Sequence, residues 1–164
     1  TAQWRGFDLQ GKRPLLIAVL QRVREARVEV ANQVVGAIGP GLLVLVCAER
    51  GDTDAEADKL LAKMLKLRIF SDAAGKMNAS LLDAGGALGV VSQFTLFGDA
   101  RKGRRPSFTE AAPPEQAEPL VEAVCRAARE LGVAVVSGRF RAAMDVELVN
   151  AGPVTILLDT ERTF

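Results

Sequence analysis

The chain has 164 residues, of which 49% are apolar and 25% are charged, a balance that predicts one folded domain and excludes a disordered or multidomain chain. Lysine and arginine number 21 and aspartate and glutamate 20, so the formal net charge of +1 provides no global attraction to nucleic acid or membrane, and any polyanion site must be local. The chain has no histidine, which excludes a Ser-His-Asp triad, a Cys-His dyad and a histidine-bound metal, and we expect neither metal nor cofactor.

Residues 1–14 have no hydrophobic period and no apolar core of a signal peptide, so we interpret them as a loose N-terminal extension of a domain at 15–164. The longest apolar runs, 15–20 and 42–48, are far shorter than the roughly 18 residues of a membrane span. Cys47 and Cys125 lie within apolar or helical patterns, which favours core thiols in a reduced compartment over a disulfide framework.

Strands dominate the start of the predicted domain. Residues 15–30 change from an apolar run to period-two alternation, which predicts two strands with a turn near Arg24. A short strand at 33–38 follows Asn32, and Gly39-Pro40-Gly41 marks a turn before the apolar strand at 42–48. That last strand is apolar throughout, so we expect it to be central in the sheet.

The middle of the chain begins with a helix. Thr53 and Glu56 form a capping box, and an apolar stripe follows at Leu60, Leu61, Met64, Leu65 and Leu67. A short strand is expected at 67–70, then a polar hairpin-like loop at 71–78 and a break at Gly85-Gly86. Residues 87–96 read as a further strand.

The last third of the chain combines a basic loop, a helix and strands. Four basic residues fall within five positions of this loop, namely Arg101, Lys102, Arg104 and Arg105. The second helix is expected from Pro113-Pro114 to Leu131, and strands at 133–140 and 144–159, the latter interrupted at 150–153. This order predicts an α+β fold in which mixed or antiparallel sheets are backed by two main helices.

Two segments place polar side chains or special backbone where plain strand is expected. Ser92-Gln93-Phe94-Thr95-Leu96 supplies two hydroxyls, an amide and backbone N–H groups at a strand end, which suit a carbonyl oxygen or a developing oxyanion. An edge strand with alternating polar residues is the open alternative. In the second segment, Gly152-Pro153 breaks a strand, because proline cannot donate to the ladder; it offers unpaired carbonyls and a rigid wall, or is an ordinary bend.

Six motifs in register carry a resemblance to a known family. They are QRV at 21–23, GPGLLVL at 39–45, RIFSDAAGKMN at 68–78, SQFTL at 92–96, RKGRRPSF at 101–108 and NAGPVT at 150–155. Over residues 18–159 the chain closely resembles D-aminoacyl-tRNA deacylases.

The resemblance implies a homodimeric hydrolase that proofreads translation. Such an enzyme cleaves the ester between a D-amino acid and the terminal adenosine of tRNA, and also acts on mischarged glycyl-tRNA. The family's Ser-Gln-x-x-Leu segment, matched by Ser92, Gln93, Phe94, Thr95 and Leu96, lines the site of one subunit. Its Gly-Pro segment, matched by Gly152 and Pro153, is a cis dipeptide that enters the partner subunit's pocket. The 2'-hydroxyl of the adenosine is thought to assist water, which is consistent with a chain without histidine.

The family pattern assigns expected roles to further residues. Asn150, Val154 and Thr155 match the segment around the Gly-Pro dipeptide, and Met144 matches a position near the pocket, although a methionine is more often core filler. Ala151 departs from the pattern, which usually has an acidic residue there. Thr95 is a candidate nucleophile without a base in its motif, and we expect an orienting role for it.

The basic loop allows two interpretations, tRNA phosphate binding or a solvated loop with ion pairs. Two other functions remain as alternatives. A non-catalytic dimeric RNA-binding module would bind aminoacyl-tRNA without turnover, and Ala151 is its only support. A small-molecule esterase would cleave esters that lack the adenosine, and the missing histidine argues against it. We expect aminoacyl-tRNA and a second copy of the chain as partners, no membrane contact, and a cytoplasmic location.

Overall fold

A six-stranded mixed sheet, a separate two-stranded hairpin and three helices make up the computed structural model, which describes residues 15–161; the predicted extension at 1–14 lies outside the described residues. The strands are β1 (Ile17–Val30), β2 (Gln33–Ile38), β3 (Gly41–Cys47), β4 (Phe70–Ser71), β5 (Met77–Ala79), β6 (Ala87–Ser92), β7 (Val135–Ser137) and β8 (Asp145–Asp159). The helices are α1 (Asp54–Lys66), α2 (Leu81–Ala84) and α3 (Pro114–Glu130).

The main sheet has the order β2-β1-β3-β6-β7, with β8 paired to β1, and β4 and β5 form a separate hairpin. β1 is antiparallel to β2, β3 and β8, whereas β3–β6 and β6–β7 are parallel. β3 occupies the middle of the order, as its apolar sequence predicted. The mixed α+β class predicted from the order of elements is confirmed.

The prediction of two strands with a turn near Arg24 is wrong, because residues 17–30 form one long strand. The stretch contains no glycine, proline or asparagine, so it lacks residues that favour a reversal. The change in hydrophobic pattern within this strand coincides instead with register shifts in the pairing with β8, on both sides of Val23. The reversal comes at Ala31 and Asn32, both with positive φ, at the tight turn into β2.

Both long helices pack on one face of the sheet. Glu56 accepts hydrogen bonds from the backbone N–H and the hydroxyl of Thr53 at 2.7 and 2.6 Å, which confirms the predicted helix start. Leu60, Met64 and Val124 are fully buried between α1, α3 and the strands. Side chains of alternate parity, including Val28 and Leu43, form a smaller apolar cluster on the opposite face. No helix within residues 15–161 is long and apolar enough to cross a membrane.

Three other strand predictions are corrected by the structure. The strand expected at 67–70 is a two-residue strand at Phe70–Ser71, because Leu67 caps α1. The strand expected at 133–140 is shortened to Val135–Ser137. The last strand is not interrupted at 150–153; β8 continues through this segment with a bulge.

Candidate active site

The Ser92–Leu96 segment lies at the end of β6, where strand gives way to a 3₁₀ turn at Phe94–Phe97. The backbone N–H of Gln93 donates the last hydrogen bond between β6 and β3, to the Val46 carbonyl at 2.8 Å. Leu96 and Gly98 then close the turn by donating to the Gln93 and Thr95 carbonyls. A continuous strand over 87–96 and the edge-strand alternative for SQFTL are therefore wrong. The turn itself uses neither the Phe94 nor the Thr95 N–H, since helix starts leave such donors over.

A cavity of about 600 Å³ opens beside this turn, a size that suits a small ligand. Three predicted site residues from the turn, Ser92, Gln93 and Phe94, line it, and Met144 lines its other side. The remaining lining residues come from the segment before α3, from α3 and from the chain around β7 and β8: Val91, Phe108, Ala111, Ala112, Pro114, Ala117, Phe140, Arg141, Ala142 and Val146. The structure thus brings the first motif and Met144 together.

Phe94 is fixed from two sides although its side chain is 57% exposed. Its ring packs edge-to-face against Phe108, with centroids 5.1 Å apart. Its carbonyl accepts a hydrogen bond from the buried Cys47 thiol at 3.5 Å. Burial raises the pKa of Cys47 to about 12, so this thiol is protonated at neutral pH and acts as a structural donor rather than a nucleophile.

The chemistry available in the cavity is sparse. Of the described residues that line it, only Arg141 is ionisable. Arg141 adopts a positive φ of 65°, which is uncommon for a residue other than glycine and directs the chain around the cavity rim. Ser92 and Gln93 contribute a hydroxyl and an amide, groups that can form hydrogen bonds but are not strong bases at neutral pH. Within residues 15–161, no group of three acidic or cysteine side chains has the arrangement of a metal site.

Thr95 is exposed and does not line this cavity. Its hydroxyl oxygen accepts a short hydrogen bond from the Gln93 side-chain amide. This contact restrains the amide of Gln93, a residue that lines the cavity. The orienting role of Thr95 stays a prediction.

The Gly152-Pro153 segment forms a bulge in β8. Gln21 of β1 pairs with Thr155 and Val23 pairs with Asn150, so residues 151–154 of β8 lie opposite Arg22 alone. The Gly152–Pro153 peptide bond is cis, as the resemblance implied. Gly152 and Pro153 are both exposed, and the bulge projects from the edge strand toward solvent.

Arg22 anchors this bulge, a role that only the QRV motif at 21–23 hints at. Its Nε donates to the Ala151 carbonyl at 2.9 Å, and another guanidinium nitrogen donates to the Ile69 carbonyl at 2.6 Å. A Cβ on Gly152 would lie 2.8 Å from the guanidinium, at a φ of +128°. Gly152 is therefore required both by backbone conformation and by the approach of Arg22.

The two predicted motifs do not meet within one chain. No residue of 150–155 lines the cavity that contains Ser92, Gln93 and Phe94. The bulge has its own support, since Thr155 donates a hydrogen bond to the Gln21 side chain at 2.5 Å. A single chain therefore contains a cavity and, separately, an exposed projection.

The basic loop lies next to the cavity and is exposed at all four basic residues. Asp99 and Ser107 exchange two backbone hydrogen bonds at its base, and Phe108 continues from there to the Phe94 ring. Arg101 forms a forked pair with Asp99, which holds the pKa of that carboxyl well below its usual range. Among the described residues, no ion pair involves Lys102, Arg104 or Arg105. The loop therefore combines one paired arginine with three basic groups directed to solvent.

Sequence reasoning did not identify Phe108, Phe140 and Arg141 as cavity residues. Phe108 belongs to the motif at 101–108, but that motif assigned it no role. Phe140 and Arg141 follow a short strand in a stretch without a distinctive pattern. Gly138 provided one hidden signal: a Cβ there would lie 2.5 Å from the Met144 sulfur, so the glycine lets Met144 reach the cavity.

Comparison with known proteins relates this architecture to one family. The model of the family described as D-Tyr-tRNA(Tyr) deacylase matches residues 19–159. A D-aminoacyl-tRNA deacylase of Acidovorax ebreus is 63% identical over 148 residues, which is 87% of this chain and 97% of that protein. One of Symbiobacterium thermophilum is 57% identical over 150 residues, 92% of this chain and 99% of that protein.

Two solved structures share the fold. One, titled c-Myc DNA Unwinding Element Binding Protein, superposes with a TM-score of 0.81 at 38% identity, covering 87% of this chain and 97% of that chain. The other, titled as a probable eukaryotic D-amino acid tRNA deacylase, has a TM-score of 0.76 at 21% identity, covering 88% and 99%. At that identity the second similarity supports the fold alone.

Proposed function

The chain belongs to the D-Tyr-tRNA(Tyr) deacylase family, and from this membership we propose that it hydrolyses the ester of D-aminoacyl-tRNA, releasing free D-amino acid and tRNA. Mischarged glycyl-tRNA is a second substrate in this proposal. The observation that carries it is the cavity beside Ser92 and Gln93, which offers hydrogen-bonding groups to an ester but, among its described lining residues, no side-chain base.

The turn after β6 positions the scissile carbonyl. Ser92, Gln93 and the N–H groups of Phe94 and Thr95 surround the strand end, where donors stabilise charge that develops on an ester oxygen. A water molecule attacks the ester carbon and the tRNA ribose oxygen departs. With Arg141 the only ionisable group in the described lining, the 2'-hydroxyl of the terminal adenosine assists the water.

The Gly-Pro bulge supplies chiral selection in a homodimer. Its exposure, and its separation from the cavity of its own subunit, support insertion of Gly152 and Pro153 into the cavity of the partner subunit. Asn150, Val154 and Thr155 flank the inserted residues and contact substrate, as does Met144 from the cavity wall. Ala151 is compatible with this role, because its carbonyl, held by Arg22, contributes to the geometry of the bulge.

Selection between enantiomers then follows from shape. Once the amine and ester carbonyl are fixed, hydrogen and side chain exchange positions between a D-centre and an L-centre. A rigid wall at Gly152 and Pro153 leaves room for hydrogen but excludes a side chain, and backbone carbonyls there bind the amine. Rejection by a clash discriminates more strongly than one added favourable contact.

The exposed loop at 101–105 binds tRNA phosphates in this proposal. Lys102, Arg104 and Arg105 are exposed on the loop that leads to Phe108 in the cavity wall, and Arg101 braces the loop through Asp99. We further place the protein in the cytoplasm, with residues 15–164 as one domain. Two buried free thiols and the tRNA substrate support this location.

Turnover distinguishes this function from a binding module of the same fold. D-Aminoacyl-tRNA is mixed with purified protein at a large molar excess of substrate, and release of amino acid is followed against the spontaneous rate. We expect many turnovers per subunit. Tight binding of the aminoacyl-tRNA without release above the spontaneous rate would replace the enzyme with the binding module. Rapid cleavage of D-aminoacyl esters that lack the adenosine would favour the esterase alternative and remove the role of the 2'-hydroxyl.

A further inference from the structure

The outer surface of α1 carries a row of lysines that the proposed catalytic mechanism does not use. Lys59, Lys63 and Lys66 are all exposed and follow one another at helical spacings of four and three residues. At 1.5 Å of rise per residue, the row extends over about 10 Å. The exposed Ala62 lies between them, so no large side chain covers the row.

Glu56, three residues before Lys59, is the acidic residue of α1 that shares the face of this row. Among residues 15–161, no ion pair involves the three lysines. The carboxylate of Glu56 lies near Lys59 and interacts electrostatically with it. It already accepts two hydrogen bonds from Thr53. The exposed Asp58 and Asp54 lie roughly 100° and roughly 140° around the helix axis from Lys59. The result is a local concentration of positive charge on a chain whose net charge is +1.

Like charges at these spacings destabilise an isolated helix by about 0.2–0.5 kcal/mol per pair. Two of the lysines lie in the last turn, where the helix dipole offsets part of this cost. The dipole does not account for Lys59, which lies more than a turn earlier. Glu56 offsets part of the charge of Lys59, and the row as a whole still carries more positive than negative charge.

The lysine row leads directly to the Gly-Pro bulge. α1 ends at Lys66, Arg68 is exposed next, and the Ile69 carbonyl accepts the hydrogen bond from Arg22. The same arginine binds the Ala151 carbonyl. Through Arg22, the basic end of α1 is therefore continuous with the element that the proposed function inserts into the partner's cavity.

We propose that Lys59, Lys63, Lys66 and Arg68 bind the phosphate backbone of the tRNA whose aminoacyl end lies in the partner subunit's cavity. This inference rests on the proposed function for the identity of the polyanion and for the position of the bulge. Each tRNA then contacts two basic surfaces from different subunits, the loop at 101–105 beside the cavity and the lysine row beside the inserted bulge. Phosphate neutralisation by lysine releases counterions and makes binding depend on salt.

The test measures binding, so it does not require hydrolysis. Deacylated tRNA with a 5'-terminal fluorophore is titrated by anisotropy over a series of potassium chloride concentrations. The Lys59→Gln/Lys63→Gln/Lys66→Gln variant is compared with the unmodified protein, and a CCA trinucleotide serves as a probe too short to reach α1. We expect the slope of log Kd against log salt to fall by about 2 for tRNA, at ~0.7–0.9 per phosphate contact, with CCA affinity unchanged.

Matched single variants separate a specific surface from general charge loss. Lys63→Gln and Arg126→Gln each remove one exposed cation, the latter from the surface of α3. We expect the first to reduce the salt slope by ~0.7–0.9 and the second to leave it unchanged. Ala62→Glu places a negative charge within the intact row and is expected to weaken tRNA binding, which keeps the test valid if the triple variant unfolds.

Three results would overturn the inference: an unaltered tRNA salt slope in the lysine variants, an equal effect of Arg126→Gln, or parallel losses for tRNA and CCA. If the lysine variants only lower the melting temperature, the row serves the helix dipole. Failure of the proposed function is a separate result, namely absent turnover by the unmodified protein. A salt slope that depends on the lysine row would still establish the RNA surface in that case.

Discussion

Arg22 joins two separate parts of the chain at the edge of the sheet. It donates to the carbonyls of Ala151 and Ile69, so the bulge of β8 is fixed against the segment that follows α1. Hydrogen bonds from a charged donor contribute about 1.5–3 kcal/mol each. The position of the bulge is therefore determined by a side chain that, in our proposal, does not contact substrate.

Replacing Arg22 by glutamine should leave the fold intact but loosen the bulge. We expect kcat/KM on D-aminoacyl-tRNA to fall by about 10–100-fold, which corresponds to the loss of one such hydrogen bond. Arg24→Gln, which alters an exposed arginine two positions along the same strand, is the control and should retain full activity. Equal activity of the Arg22 and Arg24 variants would show that the bulge does not need its anchor.

Thr95 is expected to be dispensable for chemistry. Its hydroxyl accepts a hydrogen bond from Gln93 and lies outside the cavity lining, so Thr95→Ala removes one neutral contact worth about 1 kcal/mol. Steady-state kinetics should show less than a tenfold loss of kcat/KM. Near-total loss in a variant with an unchanged circular dichroism spectrum would instead indicate a nucleophilic threonine.

The buried carboxyl of Asp52, which does not line the cavity, leads us to expect that the stability of the protein depends on pH. Burial, with smaller contributions from the nearby Glu56 and Glu49, raises the pKa of this carboxyl to about 7, against the lowering effect of the bond from the Glu49 N–H. In the unfolded chain this pKa is about 3.9. The folded state therefore binds the proton more strongly, and its stabilising contribution is complete below pH ~4 and lost as the pH rises to ~7.

Asp52→Asn should reduce that dependence, because the amide stays neutral and its oxygen still accepts from Glu49. Melting temperatures at pH 5 and pH 8 test this expectation. We expect the unmodified protein to lose more stability at pH 8 than the variant does, with the exposed Asp58→Asn behaving like the unmodified protein. Parallel pH profiles for Asp52→Asn and the unmodified chain would contradict it.

At the scale of the elements, the basic loop has a surface consistent with phosphate binding. Its base is fixed by the exchange of bonds between Asp99 and Ser107, and its tip exposes Lys102, Arg104 and Arg105 beside the cavity. None of its four basic residues lines the cavity, so the loop carries its charge outside the cavity wall.

Charge reversal at Arg104→Glu/Arg105→Glu should weaken tRNA binding and flatten its salt dependence, by about 0.7–0.9 in slope per lost contact. Hydrolysis of a small D-aminoacyl ester of adenosine should be unaffected, because this substrate does not extend to the loop. An unchanged salt slope in tRNA titrations would remove the loop from the interface.

Sequence patterns predicted those elements whose signals are local. The capping box at Thr53 and Glu56, the apolar stripe of α1 and the apolar β3 all appear as expected, since each depends on neighbours in the chain. The strand over 15–30 was divided incorrectly, because its irregularity is caused by extra residues in β8, more than a hundred positions away. Long-range register of this kind leaves no mark in the local sequence.

At the scale of the whole molecule, long-range contacts also limited how much of the candidate site could be predicted from the sequence. The motifs at 92–96 and 150–155 can both be recognised in the sequence. Within one chain, however, only residues of the first motif line the cavity. Phe108 and Phe140 also reach the cavity only through tertiary packing. The function inferred for the molecule therefore depends on a second copy that brings the bulge of one subunit to the cavity of the other.

Enantiomer selection by hydrolysis tests that central claim most directly. Matched D- and L-aminoacyl-tRNAs are given to the unmodified protein and to Gly152→Ala, whose Cβ would collide with Arg22 and displace the bulge. Gly132→Ala, at a positive φ but in open space, controls for backbone strain. We predict fast turnover of only the D-substrate, lost in Gly152→Ala and retained in Gly132→Ala. Equal hydrolysis of both enantiomers, or full D-selectivity in Gly152→Ala, would contradict a chiral pocket built by the bulge.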